Sequence, residues 1–102
     1  MSFSNRLSDA QLERLAILSE ELGEAQQAIG KIIRHGYESC NPDGNPSRTN
    51  RDDLETELGD VMFAMSLISD AGEVSHVAVC ERALIKAKKI LPYLHHQEVV
   101  QS

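Results

Sequence analysis

Apolar residues recur at alternating steps of three and four from Leu15 through Leu18, Leu22, Ala25, Ile29 and Ile32. This is the period of one face of an α-helix. Ser8-Asp-Ala-Gln11 just before it has the form of a capping box, so the pattern predicts a first helix over about residues 9 to 35. The next segment, 36–50, holds glycine and proline punctuators among Asn and Ser residues and reads as a loop. Asn50 stands where it can cap a second helix over about 51 to 71, which carries Leu54, Leu58, Val61, Met65 and Ile68 on one stripe and Asp52 and Asp53 in its first turn, where acids suit the helix dipole. Ala71-Gly72 ends it. A third helix, about 73 to 91, places Val74, Val77, Ala78, Leu84 and Ile85 on one side and Lys86, Lys88 and Lys89 near its end, with Pro92 beyond. No strand pattern competes. The expected fold is all-α: an antiparallel bundle of three main helices and a short C-terminal tail, in a single domain over residues 1–102 with its core at about 9–91.

The polar residues disturb this simple picture. With Leu18 as origin, Glu21 falls about 60° and Glu24 about 120° to one side, with Ala28 between them, whereas Glu20 lies on the far side. Repeating the exercise from Leu54 puts Glu57 and Asp60 at the same two angles, with Ala64 between them. The segments LSEELGEAQQAI and LETELGDVMFAM agree at Leu, Glu, Leu, Gly and Ala, offset by 36 residues, with Glu24 answered by Asp60. Acids three apart share one side of a helix, so two such pairs on facing helices converge. Four partly buried carboxylates in one place raise each other's pKa unless a cation compensates them. A hard oxygen-seeking cation, Mg2+ with Mn2+ as the alternative, is the expected compensation. Gly23 and Gly59 sit between the acids of each pair, each costing about 1 kcal/mol against Ala. The expectation is that something approaches the backbone there.

Composition narrows the choice of chemistry. A formal charge of -6 argues against a nucleic-acid binder, which presents a dominant basic field. At 102 residues the chain is near the lower limit for a self-sufficient core. The second helix is apolar on nearly every side after Asp60, through Val61, Met62, Phe63, Met65, Leu67 and Ile68, so a second copy is expected to cover it. The N-terminal MSFSNRLSDA lacks a signal-peptide core, and no long apolar run occurs, so the expectation is a cytoplasmic protein with no membrane partner. Cys40 and Cys80 have no zinc-site companions and are read as thiols without a role.

EELGE at 20–24 and ELGD at 57–60 resemble the EExxE and ExxD motifs of the MazG-like, all-α nucleoside triphosphate pyrophosphohydrolases. That group also includes dimeric dUTPases, dCTP pyrophosphatases and phosphoribosyl-ATP pyrophosphohydrolases. The resemblance spans roughly residues 10 to 90. It implies Mg2+-dependent cleavage between the α and β phosphates of a nucleoside triphosphate, giving monophosphate and pyrophosphate. Carried over by position, Glu21, Glu24, Glu57 and Asp60 are the metal ligands, and Glu21 or Glu24 also orients or deprotonates the water. Glu20 matches the leading acid of EExxE, but its outward phase leaves it a supporting role at most. The resemblance further implies a homodimer, with a tetramer open, and a stand-alone house-cleaning enzyme against noncanonical or surplus nucleotides.

Departures from the family pattern lie in the third helix. Many relatives carry a KAN-like stretch there; ALIKAKKIL matches at Lys86 and has Lys88 in place of the Asn. Lys31, Arg34, Lys86 and Lys88 are candidate substrate contacts, with His35, Arg48 and Arg51 as further cations, and Glu81 lies on the apolar stripe as a partner in an ion pair or a member of the acidic site. Tyr37, Tyr93, Phe3 and Phe63 are the aromatic residues available to stack on a base. Two other classes compete. One is a noncatalytic helical module binding a nucleotide or protein partner, against which the four intact acids argue. The other is a di-iron carboxylate bundle, which wants Glu-x-x-His pairs. Phosphoribosyl-ATP hydrolysis within the family calls for different acid motifs.

Overall fold

The computed structural model describes residues 4–40, 44 and 47–98, and among them the chain forms three α-helices and one 3-10 turn. The all-α fold expected from the sequence is the one observed, with no strand among the described residues. Residues 41–43, 45 and 46 of the loop, Phe3, and the last four residues of the tail lie outside the described set.

Helix α1 spans Asp9–His35. Ser8 Oγ accepts from Gln11 N at 3.1 Å while Ser8 N donates to Gln11 Oε1 at 2.8 Å, which satisfies two of the donors that a helix start leaves orphaned. The helix ends at Gly36, where φ is +87°, a conformation that a Cβ disfavours. Helix α2 spans Asn50–Asp70. Its cap is Thr49 rather than Asn50, again with a capping box: Thr49 Oγ1 accepts from Asp52 N, and Thr49 N donates to Asp52 Oδ2 at 2.9 Å. These bonds favour the ionised acid and hold the Asp52 carboxyl below its ordinary pKa.

Asn50 is instead buried, its Nδ2 donating to Gly36 O at 3.1 Å and its backbone N to Ser39 O at 2.8 Å. The start of the loop is thereby pinned to the start of α2. Arg51 adds to this, donating to Glu38 and lying 4.5 Å over the Tyr37 ring. Helix α3 spans His76–Lys89, three residues later than the periodicity suggests, because Ser75 caps it by accepting from Ala78 N at 3.1 Å. Glu73 lies in the preceding turn and pairs with Arg14 across a partly buried contact. The 3-10 turn η1, Leu91–Tyr93, follows.

The packed pair is α1 against α2. They run antiparallel: Arg14 near the start of α1 meets Glu73 beyond the end of α2, while Lys31 near the end of α1 shares a cavity with Asn50 at the start of α2. Small residues make the close contact, with Ala25, Ala28, Ala64 and Ile68 buried and Ala64 fully so. Several larger residues of the expected core stripes stay outside it: Leu15, Leu22 and Ile29 are 42%, 51% and 45% exposed, and Leu58 on α2 is 48% exposed. Leu18, Ile32, Leu54 and Val61 are half-buried, so the helices meet closely at their alanines and at Ile68 and leave much of the aliphatic stripe partly uncovered.

Helix α3 goes further, since each of its residues from His76 to Lys89 is exposed, and its packing partner is η1. The radius of gyration, 17.8 Å, accordingly exceeds the roughly 13 Å of a compact chain of about 100 residues.

Candidate metal centre

Antiparallel packing brings the two acid pairs face to face. One carboxylate oxygen from each of Glu21, Glu24, Glu57 and Asp60 lies within 4.8 Å of the others. Glu21, Glu24 and Glu57 are half-buried and Asp60 is exposed, whereas Glu20, one residue before the cluster, is exposed on the outer face of α1. The pairing follows from the geometry of antiparallel helices: Glu24 is the neighbour that acts most on Glu57, and Glu21 feels Asp60 more than Glu57.

Desolvation, followed by the charge of Glu24 and then Asp60, raises the Glu21 carboxyl above its ordinary pKa. Desolvation also leads for Glu57, followed by the hydrogen bond and charge of Glu24, in the same direction. Glu21 Oε2 and Glu57 Oε2 are both shielded from solvent and have no hydrogen-bond partner. Buried carboxylate oxygens are costly in that state. An oxygen-only donor set with two orphaned buried oxygens fits a hard divalent cation.

The cluster sits between two different surroundings. Toward the end of α1 and the start of α2 lies a polar cavity of about 380 Å³, lined by Glu24, Gln27, Ala28, Lys31, Asn50, Asp53 and Glu57. In the other direction lies an apolar groove of about 720 Å³, with Leu15, Leu18, Met62, Met65, Ile68 and Val79 in its walls.

The family model for the MazG nucleotide pyrophosphohydrolase domain matches residues 10–95, a span that includes all four acids, α2, α3 and all of α1 but its first residue. The chain belongs to the MazG family. This MazG-family chain is 36% identical over 66 residues to the Gene 37 protein of Mycobacterium phage L5. The match covers 65% of this chain and 53% of the phage protein, so the chain spans about half the length of that relative. No solved structure matches the chain.

The remaining candidates divide sharply. Lys31 borders the polar cavity beside Glu24 and Glu57. Arg34 and His35 are exposed in the last turn of α1. Arg48 donates to Asp53 at 3.2 Å and to Thr56 at 3.1 Å, and Arg51 is held by Glu38, so both guanidinium groups are engaged in closing the loop. Lys86, Lys88 and Glu81 ride on the exposed α3, and no charge from that helix is among those acting on Glu21 or Glu57. Glu81 is exposed, so among the described residues it forms no buried ion pair.

Gly23 and Gly59 also depart from expectation: a Cβ at either position would meet no atom within 4 Å. Among the described residues, nothing from another element approaches either glycine. No disulfide joins Cys40 and Cys80. No helix among the described residues is long and apolar enough to cross a membrane. Gln27, Asn50 and Asp53 in the cavity were not singled out as site residues by the sequence pattern; their spacing, Gln27 one turn after Glu24 on α1, Asp53 one turn and Asn50 two turns before Glu57 on α2, is the cue that locates them.

Proposed function

We propose that the chain is a nucleoside triphosphate pyrophosphohydrolase that hydrolyses the α-β phosphoanhydride of an NTP or dNTP to NMP and pyrophosphate. The observation that carries this reading is the convergence of four carboxylates from two antiparallel helices, two with orphaned buried oxygens, in a chain of the MazG family. Glu21, Glu24, Glu57 and Asp60 hold the cation in this reading, Mg2+ with Mn2+ as the alternative. The cation supplies charge neutralisation for the phosphate oxygens and for the departing pyrophosphate.

The chain's own residues do the rest. Glu21 or Glu24 accepts a hydrogen bond from the attacking water and takes its proton as oxygen bonds to the α phosphorus and the bridging oxygen leaves with pyrophosphate. Lys31, at the margin of the cluster, and Arg34, one turn away, supply positive charge to the substrate. Lys86, Lys88 and Glu81 come to a site only if α3 of one copy reaches another, which agrees with a homodimer, or a tetramer built from it, in which a second chain covers the apolar stripes. A house-cleaning role toward noncanonical or surplus nucleotides in the cytoplasm follows from the reaction class.

The test is pyrophosphate release from canonical, deoxy and modified triphosphates with Mg2+, beside Glu57→Gln. The reading expects NMP and pyrophosphate in equal amounts, abolished by chelator and by the substitution. A folded protein that binds Mg2+ and turns over no triphosphate would instead favour a noncatalytic nucleotide- or protein-binding module.

A further inference from the structure

The polar cavity beside the acid cluster is a chamber with its own composition. Glu24, Gln27, Ala28 and Lys31 face it from α1 at helical steps of three and four, and Asn50, Asp53 and Glu57 face it from α2 in the same way. Glu24 and Glu57 belong also to the four-acid cluster, so a ligand lodged here is continuous with one held at the cation. At about 380 Å³ the chamber falls within the range of small-molecule sites, roughly 300 to 1,000 Å³.

Its charge decides which part of a nucleotide it suits. Lys31 is the one cation in the lining, and Asp53 is an additional carboxylate beyond the two shared with the cluster. The nearby guanidinium groups do not form an anion clamp: Arg48 is bonded to Asp53 and Thr56, and Arg51 to Glu38. A polyphosphate tail would meet Asp53 with its charge already matched by Arg48 and gain a single ammonium from Lys31, whereas polyphosphate sites recruit several positive or N–H donors. An uncharged hydrogen-bonding group finds a better match. The side-chain amides of Gln27 and Asn50 each carry both a donor and an acceptor, Asp53 accepts, and Lys31 donates. Asn50 is also fixed in advance, buried and bonded to Gly36 O and Ser39 O, so little ordering cost attends its use.

We propose that this chamber binds the nucleoside end of the substrate, its sugar hydroxyls and the polar edge of its base, and that Gln27 and Asp53 are specificity-determining residues. The polyphosphate then extends from the cluster away from the chamber. This assignment rests on the pyrophosphohydrolase reading and adds the direction in which the substrate lies. Asn50 is the buried polar partner in the lining, Asp53 is half-buried and Gln27 lies at the open side; a site that recognises hydroxyl and amino groups through a buried polar partner rejects analogues lacking them.

The experiment is calorimetric binding of ribo- and deoxyribonucleoside monophosphates, over all common bases, and of inorganic pyrophosphate to the Mg2+-loaded full chain. It is run on wild type, Gln27→Leu and Asp53→Asn, with helical content checked by circular dichroism. The expected result is that monophosphate affinity falls by about tenfold or more in at least one variant and the preference among nucleosides narrows, while pyrophosphate affinity changes less than about twofold. A change in ribose-to-deoxyribose preference locates the sugar in the chamber; a change among bases locates the base edge. Weakened pyrophosphate with unchanged monophosphates would overturn the proposal by placing the polyphosphate there, and so would unchanged binding of both. If wild type binds neither, the pyrophosphohydrolase reading falls and this one with it; a wild type that hydrolyses triphosphates, with variants of unaltered selectivity, overturns this one alone.

Discussion

The α1–α2 pair and helix α3 carry similar sequence signals and meet different fates. All three helices are capped, and all three have apolar residues at helical spacing. Yet α1 and α2 bury Ala25, Ala28, Ala64 and Ile68 between them, whereas α3 buries nothing, leaving Val77 64% and Leu84 69% exposed. An apolar stripe states that a helix needs cover; it does not state which element supplies it. In the pair, small residues let the backbones approach closely enough for acids on both to meet. In α3, the stripe finds no cover among the described residues, and Leu15, Leu22, Ile29 and Leu58 on the pair are likewise exposed.

The contrast can be broken most forcefully on α3. If a second copy covers it, Leu84→Asp buries a charge in that interface and weakens self-association by at least about thirtyfold, an effect of about 2 kcal/mol or more. Light scattering across a concentration series would read this as a shift to monomer, with activity falling in parallel. A solvated α3 would instead tolerate the change within about 0.5 kcal/mol. Ala64→Leu probes the other side of the comparison. Ala64 is fully buried where the helices meet, so the larger side chain costs about 1 to 3 kcal/mol by overpacking; it should lower the melting temperature and weaken divalent-cation binding as the acid pairs are pushed apart.

A smaller effect has an informative sign. Gly59→Ala meets open space within the chain, so helix propensity alone would stabilise it by about 1 kcal/mol. Destabilisation of the assembled protein, with stabilisation in the Leu84→Asp background, would show that a second copy approaches α2 at that glycine.

The gentlest probe is pH. Glu21 and Glu57 have folded-state pKa values raised above the ordinary carboxylate value, so over the intervening range the folded chain keeps protons that the unfolded chain has lost. Stability of the cation-free protein is therefore undiminished by these groups below the unfolded pKa and falls as pH rises through the folded values. Asp52 acts in the opposite sense: its lowered pKa contributes stability above the unfolded value that is lost as pH falls through the folded one. Thermal melts from about pH 4 to about pH 8 should show the decline toward neutrality without divalent cation and lose it when Mg2+ is added.

These contrasts also explain what the sequence could and could not reveal. The acid cluster was legible because its two halves repeat, Glu21 with Glu24 and Glu57 with Asp60, in the same phase against their stripes. The helix ends were legible where a side chain closes them, as at Ser8; at the second helix Thr49 takes the cap because Asp52, three residues on, returns the bond, which freed Asn50 to be buried. The exposed centres of the stripes at Leu22 and Ile29 were not legible, since periodicity fixes a face and leaves its angular match to a neighbour undetermined. Gln27 and Asp53 carry only a helical spacing from Glu24 and Glu57. They matter only because antiparallel packing sets them opposite each other.

That packing has one more consequence. Two segments that repeat the same acid and leucine positions and run in opposite directions, with Glu24 against Glu57 and Glu21 against Asp60, place a local pseudo-twofold axis through the four acids. By themselves, acids related in this way present nearly the same face to a ligand entering from either side, so they hold charge without giving it a direction. Polarity has to come from what breaks the pseudosymmetry: amides and an ammonium to one side of the axis, methionines and leucines to the other. The repeat builds the anvil, and the unrepeated residues on its flanks decide which way the substrate is laid across it.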